Sequence, residues 1–282
     1  MTGADPVEAP SGKGAADENF PVGSFLLPPH LRPHVATFYA YARAIDDIAD
    51  SPELSADEKI ERLDGFDREI AAPEGRDGYE KATDMAVSLG ETGVPNDHCR
   101  DLIRAFKQDA VKNRYDDWDD LMAYCMLSAA PVGRYLIDLH GGNDSGYAAS
   151  DALCNALQVI NHLQDCGDDY RKLDRVYIPQ KWLADSDVPV EDLGLARCSQ
   201  GLRRAIDKCL VETASLVLDA YDLPSQIPNR RLRLEAAIIV RLADSLVWRL
   251  SARDPLAERV ELTKMDALSC LLRGLIGGMF KR

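Results

Sequence analysis

Tyr39-Ala40-Tyr41-Ala42-Arg43-Ala44-Ile45-Asp46-Asp47-Ile48-Ala49-Asp50 closes a segment in which Val35, Phe38, Tyr39, Ala42, Ile45 and Ala49 recur every three or four residues. That recurrence is the period of a helix with one apolar face. Pro33 stands where a first-turn residue needs no N–H, so the helix is predicted to start there and to end near Asp50. Asp46 and Asp50 then lie one above the other, with Cβ atoms about 5–6 Å apart. Like charges at that spacing repel, and the dipole at a helix C-terminus disfavours them further. A bound cation or plain solvation would explain the pair, and the spacing leaves both open.

The same period continues outward. Ser55 and Glu58 have capping-box spacing ahead of Ile60, Leu63, Phe66 and Ile70. Further helices are predicted over 78–90, 95–112, 118–140, 148–172, 199–221, 229–251 and 262–276, while strand-like alternation is nearly absent. The expected fold is all-α. Breaks at Glu74-Gly75-Arg76, Gly93-Val94-Pro95, Gly141-Gly142-Asn143, Pro189 and Pro224 are short, and no fixed-period repeat is present. We therefore expect a disordered tail over 1–18, rich in small and polar residues, followed by a single helical domain over 19–282.

The composition narrows the function. Among 282 residues, 47 are acidic and 33 basic, and a formal charge of −14 argues against binding a phosphate backbone, which needs basic side chains to displace counterions. No nucleic-acid partner is expected; cations, or ligands that arrive with cations, suit the chain better. Its seven cysteines are scattered without a C-x-x-C pair, which fits buried thiols in a reducing cytoplasm better than a disulfide framework or a zinc site. The N-terminus lacks a basic stretch followed by an apolar one, so it does not read as a secretory signal. No run of about 18 apolar residues occurs, so no bilayer span is expected. Leu271 to Arg282 reads as a packed terminal helix, with contact to a membrane surface as the other reading. Phe106, Trp182 and Trp248 are read as core.

A second acidic motif, Asp165-Cys166-Gly167-Asp168-Asp169, repeats the four-residue spacing, with Gln158 and Asn161 expected on the face of Asp165. Two such pairs are the kind of oxygen-donor set that Mg²⁺ uses when it joins one or two carboxylates to substrate phosphates. In so acidic a chain, solvated aspartate patches are common. Asp116-Asp117-Trp118-Asp119-Asp120 is one: it precedes an apolar-periodic helix and is read as its cap, with Asp117 at the N-cap.

These motifs are joined by others in a fixed order. The stretch Tyr39 to Asp50, then Arg114-Tyr115, Tyr124-Cys125 and Pro131-Val132-Gly133, then Gln158-Val159-Ile160-Asn161-His162-Leu163-Gln164-Asp165 through Asp169, and Arg175-Val176-Tyr177-Ile178-Pro179, resembles the squalene/phytoene synthase family over about residues 18–280. The resemblance implies a single-domain helical fold of the class I isoprenoid synthase type with a central cavity, in which aspartate motifs bind a Mg²⁺ cluster that holds the substrate diphosphate. Glu18-Asn19-Phe20-Pro21 and Ser128-Ala129-Ala130-Pro131 resemble the bacterial branch of hopanoid biosynthesis that takes presqualene diphosphate to hydroxysqualene with water, without NADPH. The alternative within the family is a head-to-head condensing enzyme that uses two prenyl diphosphates. A Lys common there before the first helix is missing from Glu18-Asn19-Phe20.

By that resemblance Asp46, Asp50, Asp165 and Asp169 are the metal ligands, with Asp47 and Asp168 supporting them. Asn19, Phe20, Tyr39, Arg43, Arg175 and Tyr177 are implied as substrate contacts, and Tyr124, Gln158 and Asn161 as the groups around the reacting carbon. Arg43 has two readings, a diphosphate contact or a salt bridge within its own helix. Phe20, Tyr39, Tyr41 and Tyr124 are aromatic faces suited to a carbocation. His162 is read as structural, with placement of the quenching water as the other reading. An apolar thirty-carbon product implies peripheral contact with the membrane surface, and the branch allows coupling to the enzyme that makes presqualene diphosphate. Among other classes, a di-iron bundle would want Glu-x-x-His pairs, which are absent, and a silent scaffold would not need mutually repelling aspartates.

Overall fold

The computed structural model describes Val7 and residues 26–262. Among these, α-helices account for the regular structure together with two short 3₁₀ turns, and the β-type pairing is one isolated parallel bridge between Arg114 and Val176. The helices are α1 (Arg32–Asp50), α2 (Ala56–Ala71), α3 (Glu80–Thr92), α4 (Asp97–Asp109), α5 (Trp118–Ser128), α6 (Ala130–Leu139), α7 (Tyr147–Gln164), α8 (Cys166–Leu173), α9 (Gln180–Asp185), α10 (Gln200–Ala220), α11 (Leu223–Gln226) and α12 (Arg230–Ala252). The all-α expectation is met. The predicted terminal helix over 262–276, Cys270, Asn19, Phe20 and nearly all of the 1–18 tail lie outside the described residues. Within those residues no helix is long and apolar enough to cross a membrane.

The described residues form two compact units, one running to Lys112 and including Asp138–His140, the other holding Asn113–Ile137 and the residues from Gly141 on. In the first, α1 packs against α2, α3 and α4. Ile45 and Ile48 are fully buried, each contributing about 2 kcal/mol of apolar transfer. Tyr41 is buried with them; its hydroxyl donates to the Cys99 carbonyl at 3.0 Å and its ring lies 6.1 Å from Phe66. It is a core residue, which corrects its reading as a face for a carbocation. Ser55 and Glu58 form the capping box that their spacing predicts.

In the second unit α7 is the central rod, packed by α5, α10 and α12 and buried along most of its length. α6 approaches it through Gly133, where a Cβ would stand 2.2 Å from the Ser150 hydroxyl and 2.7 Å from the Cys154 sulfur. Only a residue without a side chain fits there. Asp117 caps α5 as predicted, accepting from the Asp120 N–H at 3.1 Å.

Two predicted helices are each split. The 118–140 segment breaks at Ala129 (φ −122°, ψ −48°), because Pro131 has no N–H to continue the ladder and crowds the helical conformation just before it. The 148–172 segment breaks at Asp165 (φ −102°, ψ 5°). Trp248 is not core: 68% of it is exposed on α12. Phe106 and Trp182 are half-buried, Trp182 stacking on Trp118 at 5.5 Å.

Glu69 is a charged group in the core, 0% exposed. Its carboxylate accepts from the Glu74 and Gly75 N–H groups at 2.8 and 2.6 Å, from Arg76 at 2.8 Å and from Thr83 at 3.0 Å, so it organises the loop between α2 and α3. Burial alone would raise its pKa; the bonds from Gly75, Thr83 and Glu74 and the Arg76 charge outweigh that and hold it below the usual carboxyl range. Glu69→Ala strands these donors and should cost about 3 kcal/mol, read as a fall in thermal midpoint. A group with a depressed pKa stabilises above its unfolded value, so the loss should be full above about pH 5 and shrink as pH falls below about 4.

Candidate active site

α1 carries one half-buried polar stripe. Tyr39, Arg43, Asp46, Asp47 and Asp50 follow each other at helical spacing, while Ile45, Ile48 and Ala49 fill the core from the other side. No basic residue offsets the last turn. Arg43 instead reaches forward and forks between two carboxylates, with Nη1 2.7 Å from Asp46 and Nη2 2.8 Å from Asp47. The structure therefore shows the salt-bridge reading of Arg43. Burial lowers the pKa of its guanidinium, and the Asp46 and Asp47 charges more than restore it.

Burial raises Asp46 strongly, the Asp50 charge raises it further, Arg43 works against both, and Asp109 and Asp47 add to the rise, leaving the carboxyl at about 7. Its side chain is 28% exposed, so water still reaches it and softens the effect. Asp109, at the end of α4, is buried and acts on Asp46 from within the same unit. Sequence reasoning missed it. The signal was present, since Asp109 continues the buried line of Leu102 and Ala105 on α4, where a carboxylate needs a reason.

The second motif sits at a corner. Asp165 is at once the C-cap of α7 and the residue before α8, with its N–H bonded to the Asn161 carbonyl at 2.9 Å and its own carbonyl accepting from Asp169 at 2.8 Å. The close packing of Gly167, where a Cβ would meet Leu256 at 2.7 Å, makes the corner tight. Asp168 and Asp169 therefore occupy the first turn of α8, where the dipole favours them. Asp165 is exposed and Asp169 half-buried. Asp168 faces outward, held below the usual carboxyl range by Lys172 and Arg171 at 2.8 and 2.7 Å.

One helical turn earlier lies an aromatic and amide cluster. The rings of His162 and Tyr177 are stacked at 3.4 Å and 9°, Tyr124 lies 5.9 Å from Tyr177 and 6.3 Å from His162, and Tyr115 lies 5.6 Å from Tyr177. Gln158 Nε2 is 3.2 Å from His162 Nε2. Arg175 is buried, and its N–H reaches the Asp169 carbonyl at 3.2 Å. In the second unit, then, Tyr124, Gln158 and Tyr177 are brought together with His162, while Asn161 and Arg175 are tied by backbone bonds to Asp165 and Asp169. In the first, Tyr39 and Arg43 share a stripe with Asp46 and Asp50. Tyr115 and His162 enlarge the cluster beyond the predicted set.

Among the described residues no three His, Cys, Asp or Glu side chains form a group able to hold a metal by themselves. The donors on offer are carboxylate oxygens in pairs, which suits a hard cation that takes its remaining ligands from water and a diphosphate, and does not suit zinc or a soft metal.

His162 is buried, and desolvation, with the Arg175 charge, lowers its pKa to about 3. The folded chain then binds fewer protons at this group than the unfolded chain between about pH 3 and 6.5, so stability falls as pH drops through 6.5. Between pH 7.5 and 5 the group should cost about 2 kcal/mol, and His162→Phe should lack that part of the slope in urea unfolding followed across pH.

A sequence profile of the squalene/phytoene synthase family matches residues 14–266. A hydroxysqualene synthase of Rhodopseudomonas palustris is 44% identical over 94% of this chain and 90% of its own length. One from Zymomonas mobilis is 40% identical over 96% of this chain and 91% of its own. The crystal structure of a squalene synthase, HpnC, from Alicyclobacillus acidocaldarius superposes with a TM-score of 0.71 at 31% identity, covering 80% of this chain and 85% of that one. The helical fold is that of the class I isoprenoid synthases. With a family profile across nearly the whole chain and relatives above 40% identity, the chain belongs to the squalene/phytoene synthase family and is an isoprenoid enzyme.

Proposed function

We propose that this enzyme ionises presqualene diphosphate in the presence of Mg²⁺ and captures the rearranged cation with water, giving hydroxysqualene and diphosphate. The observation that carries the reading is the 44% identity over 94% of the chain to a hydroxysqualene synthase, with all four motif aspartates in place. In this reading residues 19–282 serve one reaction. Asp46, Asp50, Asp165 and Asp169 are the Mg²⁺ ligands of this proposal, and Mg²⁺ would supply positive charge to the departing diphosphate.

The chain's own groups do the rest. Arg43 is already aligned with Asp46 and Asp47, and with Asp46 engaged as a metal ligand its planar fork would be available to diphosphate oxygens. Arg175, and Tyr39 and Tyr177 through their hydroxyls, are the further substrate contacts of this proposal, with Asn19 and Phe20 from the segment ahead of α1. Tyr124 would offer a ring face to positive carbon, worth about 1–2 kcal/mol when dry. Gln158 and Asn161 supply amide groups near the reacting carbon. No NADPH is required, because the final bond is made by water. The apolar product favours release at a membrane surface, and the enzyme that supplies presqualene diphosphate is the natural functional partner.

Incubating the purified chain with Mg²⁺ and presqualene diphosphate, with and without NADPH, beside farnesyl diphosphate alone, tests this directly. Hydroxysqualene formed from presqualene diphosphate without NADPH is expected; turnover of farnesyl diphosphate would point to a condensing synthase, and inertness to both would overturn the assignment. Asp46→Asn should separate stability from activity. It removes a charge disfavoured by burial and Asp50, so the ligand-free chain should gain about 1 kcal/mol at pH 8, after discount for exposure, and less toward pH 5. Its turnover should fall by about a hundredfold or more.

A further inference from the structure

The pairing of Gln158 with His162 bears on which atom of the Gln158 amide faces the substrate. The two residues are one turn apart on α7, and the amide nitrogen of Gln158 lies 3.2 Å from the imidazole Nε2. With the amide nitrogen on that side, the bond runs from Gln158 to His162, whose Nε2 accepts in the tautomer protonated at Nδ1. Burial, with the Arg175 charge, keeps this imidazole neutral and that lone pair available. The ring cannot swing away, because it lies flat on Tyr177 at 3.4 Å, and Tyr177 is itself backed by Tyr115 at 5.6 Å and Tyr124 at 5.9 Å. Gln158 is only half-buried, whereas His162 is buried. Anchoring the amide nitrogen turns the carbonyl oxygen of the planar amide away from His162.

We infer that His162 is a positioning residue that fixes the Gln158 amide with its carbonyl oxygen toward the reacting carbon, and that this orientation selects water capture over proton loss. The inference rests on the hydroxysqualene-forming reading proposed above. A carbonyl oxygen holds water by accepting one of its O–H groups, which leaves the water lone pairs free to attack a cation. A flipped amide would hold the same water by donating to its oxygen, engaging the electrons that must form the new bond. The step balances without a redox partner. The C–O bond to diphosphate breaks with its electron pair leaving on oxygen, the cation rearranges, a water lone pair forms the new C–O bond, and the surplus water proton passes to the released diphosphate. With no oriented water, the same cation loses a proton from carbon and ends as a hydrocarbon.

The readout is the ratio of hydroxysqualene to proton-loss hydrocarbon made from presqualene diphosphate with Mg²⁺, compared between the full-length wild type and its variants. A role confined to packing would lower yield or thermal stability without moving this ratio. His162→Phe keeps a flat ring against Tyr177 and removes the acceptor, so the ratio should fall about tenfold, the worth of about one hydrogen bond. His162→Gln, which restores an accepting oxygen, should recover part of it. An unchanged ratio in folded His162→Phe overturns the inference. Should that variant fail to fold, Gln158→Leu decides, since it should lower the ratio equally and an unchanged value overturns the inference as well. A wild type that makes no hydroxysqualene overturns the functional reading itself, a result distinct from a wild type that makes it and variants that do so in the same proportion.

Discussion

Two carboxylates held one turn apart at the C-terminal end of a half-buried helix repel each other, and the first unit is arranged to tolerate this. The apolar side of α1 supplies the compensating energy: Ile45, Ile48 and Ala49 are fully buried beside the residues they must restrain. Arg43 neutralises part of the charge through contacts of 2.7 and 2.8 Å, and Asp109 adds to the strain from α4. Under the proposed metal-binding role, a pair held in this way would gain from a divalent cation, because the repulsion is present without it. The second motif solves the same difficulty differently. Its aspartates are placed at the start of α8, where backbone N–H groups favour negative charge, and at a corner open to solvent.

Much of this was legible in the sequence because it depends on local period and local capping. The apolar face of α1, the Ser55–Glu58 box and the Asp117 cap are properties of a few neighbouring residues; the box and the cap are found as read, while the buried face keeps Val35, Phe38, Ile45 and Ala49 and takes Tyr41, Ala44 and Ile48 in place of Tyr39 and Ala42. The helix breaks at Ala129 and Asp165 were missed for opposite reasons. The first was signalled by Pro131 but masked by strong periodicity on both sides, whereas the second depends on Leu256 packing against Gly167 from a distant part of the chain. α9 and α11, with six and four residues, are too short to show any period.

The candidate site divides in the same way. Asp46, Asp50, Asp165 and Asp169 could be picked out by spacing and by resemblance, and Tyr124 by its motif. That Tyr41 belongs to the core, with its hydroxyl on Cys99, and that Trp248 belongs to the surface, could not: each depends on which face of a helix its neighbours cover. The stack of His162 on Tyr177 joins α7 to the segment after α8, a tertiary contact that no one-dimensional pattern announces.

The tryptophans carry a further consequence. The chain has three, Trp118, Trp182 and Trp248, and all belong to the second unit. The first unit contains no indole of its own; its aromatic rings are tyrosine and phenylalanine. Trp118 and Trp182 are stacked at 5.5 Å and optically coupled, while Trp248 emits from water, so the spectrum combines a half-buried pair with a solvated single ring. Far-ultraviolet dichroism samples the helices of both units. Superposition of the two optical signals during denaturation would mean that the aspartates of α1 and those around α8 are lost together; separation would give each acidic motif its own melting event.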